Sequence, residues 1–174
     1  MPKGSLKTVL FLVLASTLLY FIYSEQGHEE FAVGEQAPAW ALQNEKGEGV
    51  SLSDYKGKVV LLSFWATWCP PCIREIPSLN LLQERFSSKD FTVLGVNLDD
   101  DGWEAIRFLN KKIPLQFPIV WDHQAIVSDL YHVDHLPQSY LISRDGTILK
   151  GFSGGIEAED EALNDLIQES LQIP

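Results

Sequence analysis

The chain contains two cysteines, and both stand in the tetrapeptide Cys69-Pro70-Pro71-Cys72. Pro71 suits the first turn of a helix, because its fixed φ is helical and its missing N–H would have no partner there. Two thiols at this spacing, with the second on that first turn, can close a small disulfide and reopen it without refolding the protein. The spacing predicts a redox-active dithiol.

The two thiols are expected to have different roles. Cys69 stands at the positive end of the helix dipole, where a thiolate is stabilised. Because the thiolate is the species that attacks disulfides, we expect Cys69 to be the nucleophile. Cys72, one turn into the helix and facing the strands, is expected to be the more buried thiol that resolves a mixed disulfide.

A cysteine pair can also hold a metal ion or form a purely structural disulfide. A tetrahedral zinc site needs two further Cys or His ligands at compatible spacing, and no second CxxC or HxxxH is found in the chain. A purely structural disulfide stays open, although a bridge across four residues constrains the unfolded chain little. The sequence favours exchange chemistry, and it predicts no metal and no cofactor besides the Cys69–Cys72 disulfide.

The nonapeptide FWATWCPPC, Phe64 to Cys72, is followed by Ile73-Arg74-Glu75-Ile76-Pro77. This stretch resembles the active site of thioredoxin-fold proteins, in particular the membrane-anchored TlpA/ResA type of the AhpC/TSA-redoxin superfamily. The tripeptide Leu136-Pro137-Gln138 adds to the resemblance, which covers residues 35 to 172 in element order. It implies a thiol:disulfide oxidoreductase that acts on the thiols and disulfides of other proteins.

The resemblance also implies roles for residues around the dithiol. Pro137 is expected to be cis and to face the dithiol, which counts it with the catalytic residues. The backbone of Leu136 would then pair with an extended segment of the substrate. Trp68, Pro70 and Pro71 are the other expected substrate contacts.

Glu75 follows Cys72 by three residues, on the same helical face. It resembles the glutamate found at this place in ResA-like proteins, which makes it a candidate proton acceptor for the resolving thiol. The alternative is an ordinary solvated helix acid. Ser63 occupies the position where thioredoxins carry a buried aspartate, so a carboxylate that tunes this dithiol must be Glu75.

Other functions remain open alternatives. Copper chaperones of the Sco type use two cysteines and a distant histidine, for which His135 is the candidate, but their cysteines are three residues apart rather than two. His135 is otherwise an ordinary polar loop residue. A related peroxidase would carry PxxxTxxC, and Ala66 stands here in place of the threonine.

The direction of exchange is expected to be reductive, with net oxidation or isomerisation of disulfides as the alternative. Pro70 and Pro71 lack an N–H, and Leu136 adds no side-chain donor, so few donors can stabilise a thiolate. A protonated His135 beside the sulfur would stabilise the thiolate and raise the reduction potential. The resemblance implies apocytochrome c as one substrate and a CcdA/DsbD-like membrane dithiol transporter as the electron donor.

The first 23 residues predict a membrane anchor. Lys3 and Lys7 precede the uncharged run Thr8 to Tyr23, and the apolar residues from Leu6 onward would span about 27 Å as a helix. A cleaved signal peptide is the alternative, but no small-x-small site follows. Lysines before the span and acids after it place the N-terminus in the cytoplasm and the rest outside, on the periplasmic side. The expected organisation is an anchor at 1–24, a tether at 25–35 and a thioredoxin-like domain at 36–174.

Net charge separates this chain from nucleic-acid-binding proteins. The whole sequence carries −11, and without Lys3 and Lys7 eleven basic residues face 24 acids, a net charge of −13. Such a domain repels nucleic acid and anionic lipid surfaces.

Hydrophobic periodicity predicts an α/β sandwich, and the resemblance implies that it is a thioredoxin-like three-layer sandwich with an N-terminal β-hairpin and a central insertion. Asp99, Asp100 and Asp101 precede a helix and are interpreted as its capping and solvated residues. Pro77 is expected to kink the helix that follows the dithiol. The predicted strands are 39–43, 50–52, 59–65, 91–97, 117–121, 139–143 and 147–152, with the inserted helices before and after 117–121 and a final helix through Leu163 and Leu171.

Overall fold

A computed structural model describes residues 13, 15–17 and 33–173. The predicted anchor, 1–24, and the tether, 25–35, lie largely outside these residues. Among the residues that are described, no helix is long and apolar enough to cross a membrane. Gly34 and Glu35 already belong to the folded domain. The Gly34 N–H donates to the Ile148 carbonyl, and the Ile148 N–H donates to the Glu35 carbonyl.

Seven strands form one mixed sheet in the order β2-β1-β5-β4-β3-β6-β7. Residues 33–173 also form four α-helices and two short 3₁₀ segments, Leu52–Tyr55 and Ser87–Lys89. The strands are β1 Ala41–Gln43, β2 Gly49–Ser51, β3 Val59–Trp65, β4 Phe91–Asn97, β5 Ile119–Trp121, β6 Gln138–Ile142 and β7 Ile148–Ser153; the helices are α1 Pro70–Phe86, α2 Trp103–Asn110, α3 Ile126–Leu130 and α4 Glu161–Gln172.

Strand β3 lies inside the sheet, between β4 and β6, as its continuous apolar run predicts. All seven of its residues are buried, because both faces of the sheet are covered. It pairs in parallel with β4 from Val59↔Phe91 to Trp65↔Asn97. On its other side it pairs antiparallel with β6.

Alternate residues of the central strands point into two separate cores, which makes the fold a three-layer sandwich. On one face, Val59, Leu61 and Val93 pack against side chains of α1 and α4. On the other face, Val60 and Leu62 pack in a cluster that includes side chains of α3. The predicted three-layer α/β architecture is confirmed.

The predicted elements are present, with shorter bounds at several ends. The N-terminal hairpin pairs Ala41 with Ser51, and the central insertion is α2, β5 and α3. Helix α1 continues through Pro77 to Phe86. The final helix buries Leu163, Ile167 and Ser170 on the predicted face.

The interpretation of the aspartate run as capping and solvated residues is wrong for the caps and for Asp99, whereas Asp100 and Asp101 are exposed, as predicted. The N-cap position of α2 is Gly102, and no side chain there caps the helix. Asp99 is 3% exposed, and its carboxylate binds Thr67 and Asn97 instead. The chain turns inward after β4, so Asp99 lies two residues beyond the sheet edge with its side chain directed into the protein rather than toward α2.

Gly102 is expected to tolerate no side chain. Its φ is +52°, and a Cβ built there would lie 2.5 Å from the Trp121 ring, whose Nε1 donates to the Asp99 carbonyl at 2.8 Å. Gly102→Ala should lower the free energy of unfolding by about 2–4 kcal/mol, from left-handed strain and overpacking together. Urea unfolding of the oxidised protein measures this.

Gly49→Ala is the matched control, because a Cβ at Gly49 meets nothing within 4 Å. Its effect should stay within about 0.5 kcal/mol. Equal unfolding midpoints for the two variants would contradict the prediction.

Candidate redox site

The dithiol lies where β3 passes into α1. Cys69 is the N-cap residue of α1, and its Sγ accepts a hydrogen bond from the Cys72 N–H at 3.3 Å. Pro70 and Pro71 occupy the first helical positions, as predicted, and the two cysteines form a disulfide. The helix therefore directs its positive end at Cys69.

The two cysteines differ in access more than in burial. Cys69 is 4% exposed and Cys72 is 2% exposed, so the predicted difference in burial is small. Cys69 lines an open cleft together with Trp68 and Pro70, whereas Cys72 is not among the lining residues. A substrate in the cleft would meet Cys69 first.

The opposite walls of the cleft come from the central insertion and from the segment before β6. Trp68 is 65% exposed at the rim, and none of the described residues that line the cleft is Lys or Arg. The remaining lining residues are Leu98, Asp100, Asp122, His123, Ala125, Ser128, Asp129, Val133, Asp134, His135 and Leu136.

The Leu136–Pro137 peptide is cis, as the resemblance implied. Gln138 pairs with Phe64, which places Pro137 beside the end of β3 that leads to the dithiol. Leu136 lines the cleft and packs against the apolar cluster that contains Cys69 and Cys72. Pro137 is buried and Pro71 is exposed, and neither is a lining residue of the cleft.

Glu75 is buried, with 4% of the residue exposed, so the alternative of a solvated helix acid is wrong. Ser63 Oγ donates to its Oε1 at 3.3 Å. Burial raises the pKa of Glu75 from 4.5 to about 7, against the opposing effects of the Ile156 N–H and the Ser63 hydroxyl. Oε2 accepts no hydrogen bond of ordinary geometry from the described residues, although the Ile156 N–H lies close enough to act on the charge.

His135 stands on the cleft with both ring nitrogens in contact with hydrogen-bonding partners. Nδ1 lies 2.5 Å from Asp134 Oδ1, and Nε2 lies 2.6 Å from Ser153 Oγ. These contacts tie the segment before Pro137 to the end of β7. Within the part of the chain that the structure describes, no group of three or more His, Cys, Asp and Glu side chains could hold a metal ion.

The contact between Thr67 and Asp99, which the fold brings together beside the dithiol, was not predicted from the sequence. Thr67 donates its N–H to both carboxylate oxygens of Asp99, at 3.1 and 3.0 Å, and its hydroxyl to one of them at 2.7 Å. Each residue stands two positions after one of two adjacent parallel strands. That shared offset was the available signal, since the carboxyl ends of parallel strands meet at one edge of a sheet.

Comparison with known proteins gives one family and many relatives. A family model described as the AhpC/TSA family matches residues 33–150. The thiol-disulfide oxidoreductase ResA of Geobacillus kaustophilus is 37% identical over 157 residues, which make up 89% of this chain and 90% of the relative. ResA of Bacillus subtilis is 35% identical over 86% of this chain and 84% of its own.

Two solved structures show the same fold. A Chlorobium tepidum structure described as a thiol:disulfide interchange protein DsbE has a TM-score of 0.75 and 37% identity, over 81% of this chain and 99% of that one. StoA of Bacillus subtilis has a TM-score of 0.63 and 29% identity, over 75% of this chain and 96% of that one.

Glu75 should make the stability of the oxidised protein depend on pH. Its folded pKa of about 7 exceeds the ordinary 4.5, so the folded state holds the proton more tightly and stability falls as pH rises from about 4.5 to 7. The loss should be of the order of 3 kcal/mol. Denaturant unfolding across this range should show a flatter profile for Glu75→Gln, which has no carboxylate to ionise.

Glu84→Gln removes one negative charge from an exposed position of the same helix and serves as the control. Its profile should follow that of the wild type. A Glu75→Gln profile that is parallel to the wild type would mean that Glu75 does not titrate in this range.

Proposed function

The chain belongs to the AhpC/TSA family and is a thiol-disulfide oxidoreductase of the ResA type, and from this premise we propose that it reduces protein disulfides outside the cytoplasm through Cys69 and Cys72. One observation carries the proposal. The disulfide closes at the N-terminus of α1 with Cys69 on the cleft, and the buried Glu75 follows Cys72 on the same helix.

The first step begins from the reduced dithiol. The Cys69 thiolate, stabilised by the end of α1 and by the Cys72 N–H, attacks one sulfur of the substrate disulfide. The substrate S–S bond breaks as the bond between Cys69 and the substrate forms. The other substrate sulfur leaves as a thiolate and takes up a proton.

The second step releases the substrate. Cys72 gives its proton to Glu75 and attacks the Cys69 sulfur, so that the Cys69–Cys72 disulfide forms and the second substrate sulfur leaves. The second substrate sulfur leaves as a thiolate and takes up a proton from solvent. Overall the substrate gains two electrons and two protons, and the dithiol loses two electrons together with two protons, one released when Cys69 ionised and one passed to Glu75. A carboxyl group with a pKa of about 7 can accept and release this proton near neutral pH.

Substrate binding is assigned to the surfaces that surround Cys69. Trp68 and Pro70 form one side of the cleft and Leu136 lines another. An extended substrate segment could lie between them with its backbone against Leu136. Pro137 would hold Leu136 in position. Pro71 would lie at the start of α1, at the edge of the surface that contacts the substrate.

Partners and location follow from the family resemblance. Apocytochrome c is the proposed substrate, which would place the protein in cytochrome c maturation, and a CcdA/DsbD-like membrane dithiol transporter is the proposed electron donor. Residues 1–24 would anchor the chain in the membrane, with the N-terminus in the cytoplasm. The uncharged run after Lys7 supports this arrangement.

Trapping tests the division of labour between the thiols. Without the resolving thiol a mixed disulfide cannot be released, so Cys72→Ser should accumulate covalent complexes with substrate proteins. Cys69→Ser should accumulate few, because Cys72 does not line the cleft. Non-reducing electrophoresis with mass spectrometry identifies the complexes, and equal trapping by both variants would refute the assignment.

The reduction potential tests the direction of exchange. Among the described residues, the Cys72 N–H is the hydrogen-bond donor to Cys69 Sγ, and the two prolines supply none. A weakly stabilised thiolate favours a reducing dithiol, so we expect a potential nearer the roughly −270 mV of thioredoxin than the roughly −120 mV of a strong oxidant. Equilibration with glutathione buffers measures it. A value above about −180 mV would favour disulfide oxidation or isomerisation.

A further inference from the structure

Thr67 connects the redox turn to a buried carboxylate. Its N–H donates to both oxygens of Asp99, and its hydroxyl donates to Oδ1 at 2.7 Å. Asp99 is 3% exposed, so these charge-assisted bonds form in surroundings of low polarity, where each is stronger than at the surface. Thr67 stands two residues before Cys69.

The strand register explains why the turn needs this support. Sheet bonding between β3 and β4 ends at the pair Trp65↔Asn97 and at the bond from the Leu98 N–H to the Trp65 carbonyl. Beyond that point the chain leaves the sheet and reaches Cys69 without a neighbouring strand. The contacts from Thr67 to Asp99 replace the missing sheet bonds.

Asp99 is itself held by two strands. Asn97 Nδ2 donates to Asp99 Oδ2 at 2.6 Å, and the Asp99 N–H donates to Asn97 Oδ1 at 3.1 Å. Trp121 Nε1, from β5, donates to the Asp99 carbonyl at 2.8 Å. The Asp99 carboxylate is therefore held in a fixed position for Thr67, because both the side chain and the backbone of Asp99 are hydrogen-bonded to residues of the sheet.

We propose that Asp99 is a positioning residue for the redox site, acting through Thr67 to hold Cys69 on the end of α1. The stabilisation of a thiolate by a helix end falls off within one turn, and the Cys72 N–H lies 3.3 Å from the Cys69 sulfur. A less firmly held turn between β3 and α1 would let the Cys69 sulfur move away from the helix end and from the Cys72 N–H. The proposal rests on the assignment of Cys69 as the attacking thiol.

Thr67→Val tests the proposal with little change of shape. It removes the hydroxyl bond to Asp99 and leaves the backbone N–H in place. The pKa of Cys69 in the reduced protein should rise by about half a unit to one unit. Thiol–disulfide exchange at pH 7 should slow by about 2- to 4-fold, because the smaller thiolate fraction is partly offset by the higher nucleophilicity of a more basic sulfur. The pH dependence of iodoacetamide alkylation, with the alkylated cysteine identified by mass spectrometry, measures the pKa.

Two controls separate positioning from general stability. Thr67→Ser keeps the hydroxyl and should stay within about twofold of the wild-type rate. Thr92→Val removes another buried threonine hydroxyl, near the opposite end of β4, where Thr92 Oγ1 donates to the Val93 carbonyl. It should lower the melting temperature without shifting the pKa of Cys69.

A double-mutant cycle tests whether the effect of Thr67 passes through Asp99. Asp99→Asn removes the charge and one of the acceptors, which has its own effect on Cys69. In that background the further shift from Thr67→Val should fall to less than about half its value in the wild type. An undiminished shift would show that Thr67 acts independently of Asp99.

Other titrating groups face the Cys69 cleft, and all of them are unchanged in Thr67→Val: Asp100, Asp122, His123, Asp129, Asp134 and His135, with Glu75 on the same helix as the dithiol. Superimposable alkylation profiles for the wild type and Thr67→Val would overturn the proposal, even if the variant melted at a lower temperature. A wild-type profile in which Cys72 is the more acidic thiol would refute the proposed function as well, so the two failures are distinguishable.

Discussion

The parallel pairing of β3 with β4 is the constraint on which the site depends. Seven consecutive residue pairs hold the two strands in one register, so both leave the sheet at the same edge. The dithiol follows one strand and Asp99 follows the other. Strand β6, paired to the far side of β3, starts at this edge and brings the cis peptide before Pro137 to the same place. Three strand ends therefore build a site that no single segment contains.

Burial changes the acidity of Glu75, which lies next to strand β3. Ser63, inside β3, leaves room for a carboxylate that reaches in from α1, and its hydroxyl binds Glu75. The apolar surroundings favour the neutral acid, which raises the pKa of Glu75 to about 7. The carboxylate thus shares a helix with the dithiol, and any motion of α1 would move the carboxylate and the thiols together.

The central insertion forms the outer wall of the cleft. Asp122 is 2% exposed and accepts the N–H groups of Val127 and Ser128, which fixes the start of α3 against β5. The exposed acids of this wall and of the loop after β4 face a cleft to which the described part of the chain contributes no lysine or arginine. A negative potential around Cys69 disfavours the thiolate, which agrees with a dithiol that donates electrons.

Much of the secondary structure of this protein can be predicted from short-range patterns in the sequence. The helix start at the two prolines and the buried apolar run of β3 each depend on neighbouring residues, and both appear as predicted. The contacts from Thr67 to Asp99, from Ser63 to Glu75 and from His135 to Ser153 join residues that are 32, 12 and 18 positions apart. Local spacing indicates which face of a strand or helix a residue occupies, but strand register and the packing of the layers determine which distant side chain it meets. For that reason the three aspartates after β4 resembled helix caps in the sequence, and only the folded sheet separates Asp99 from the other two.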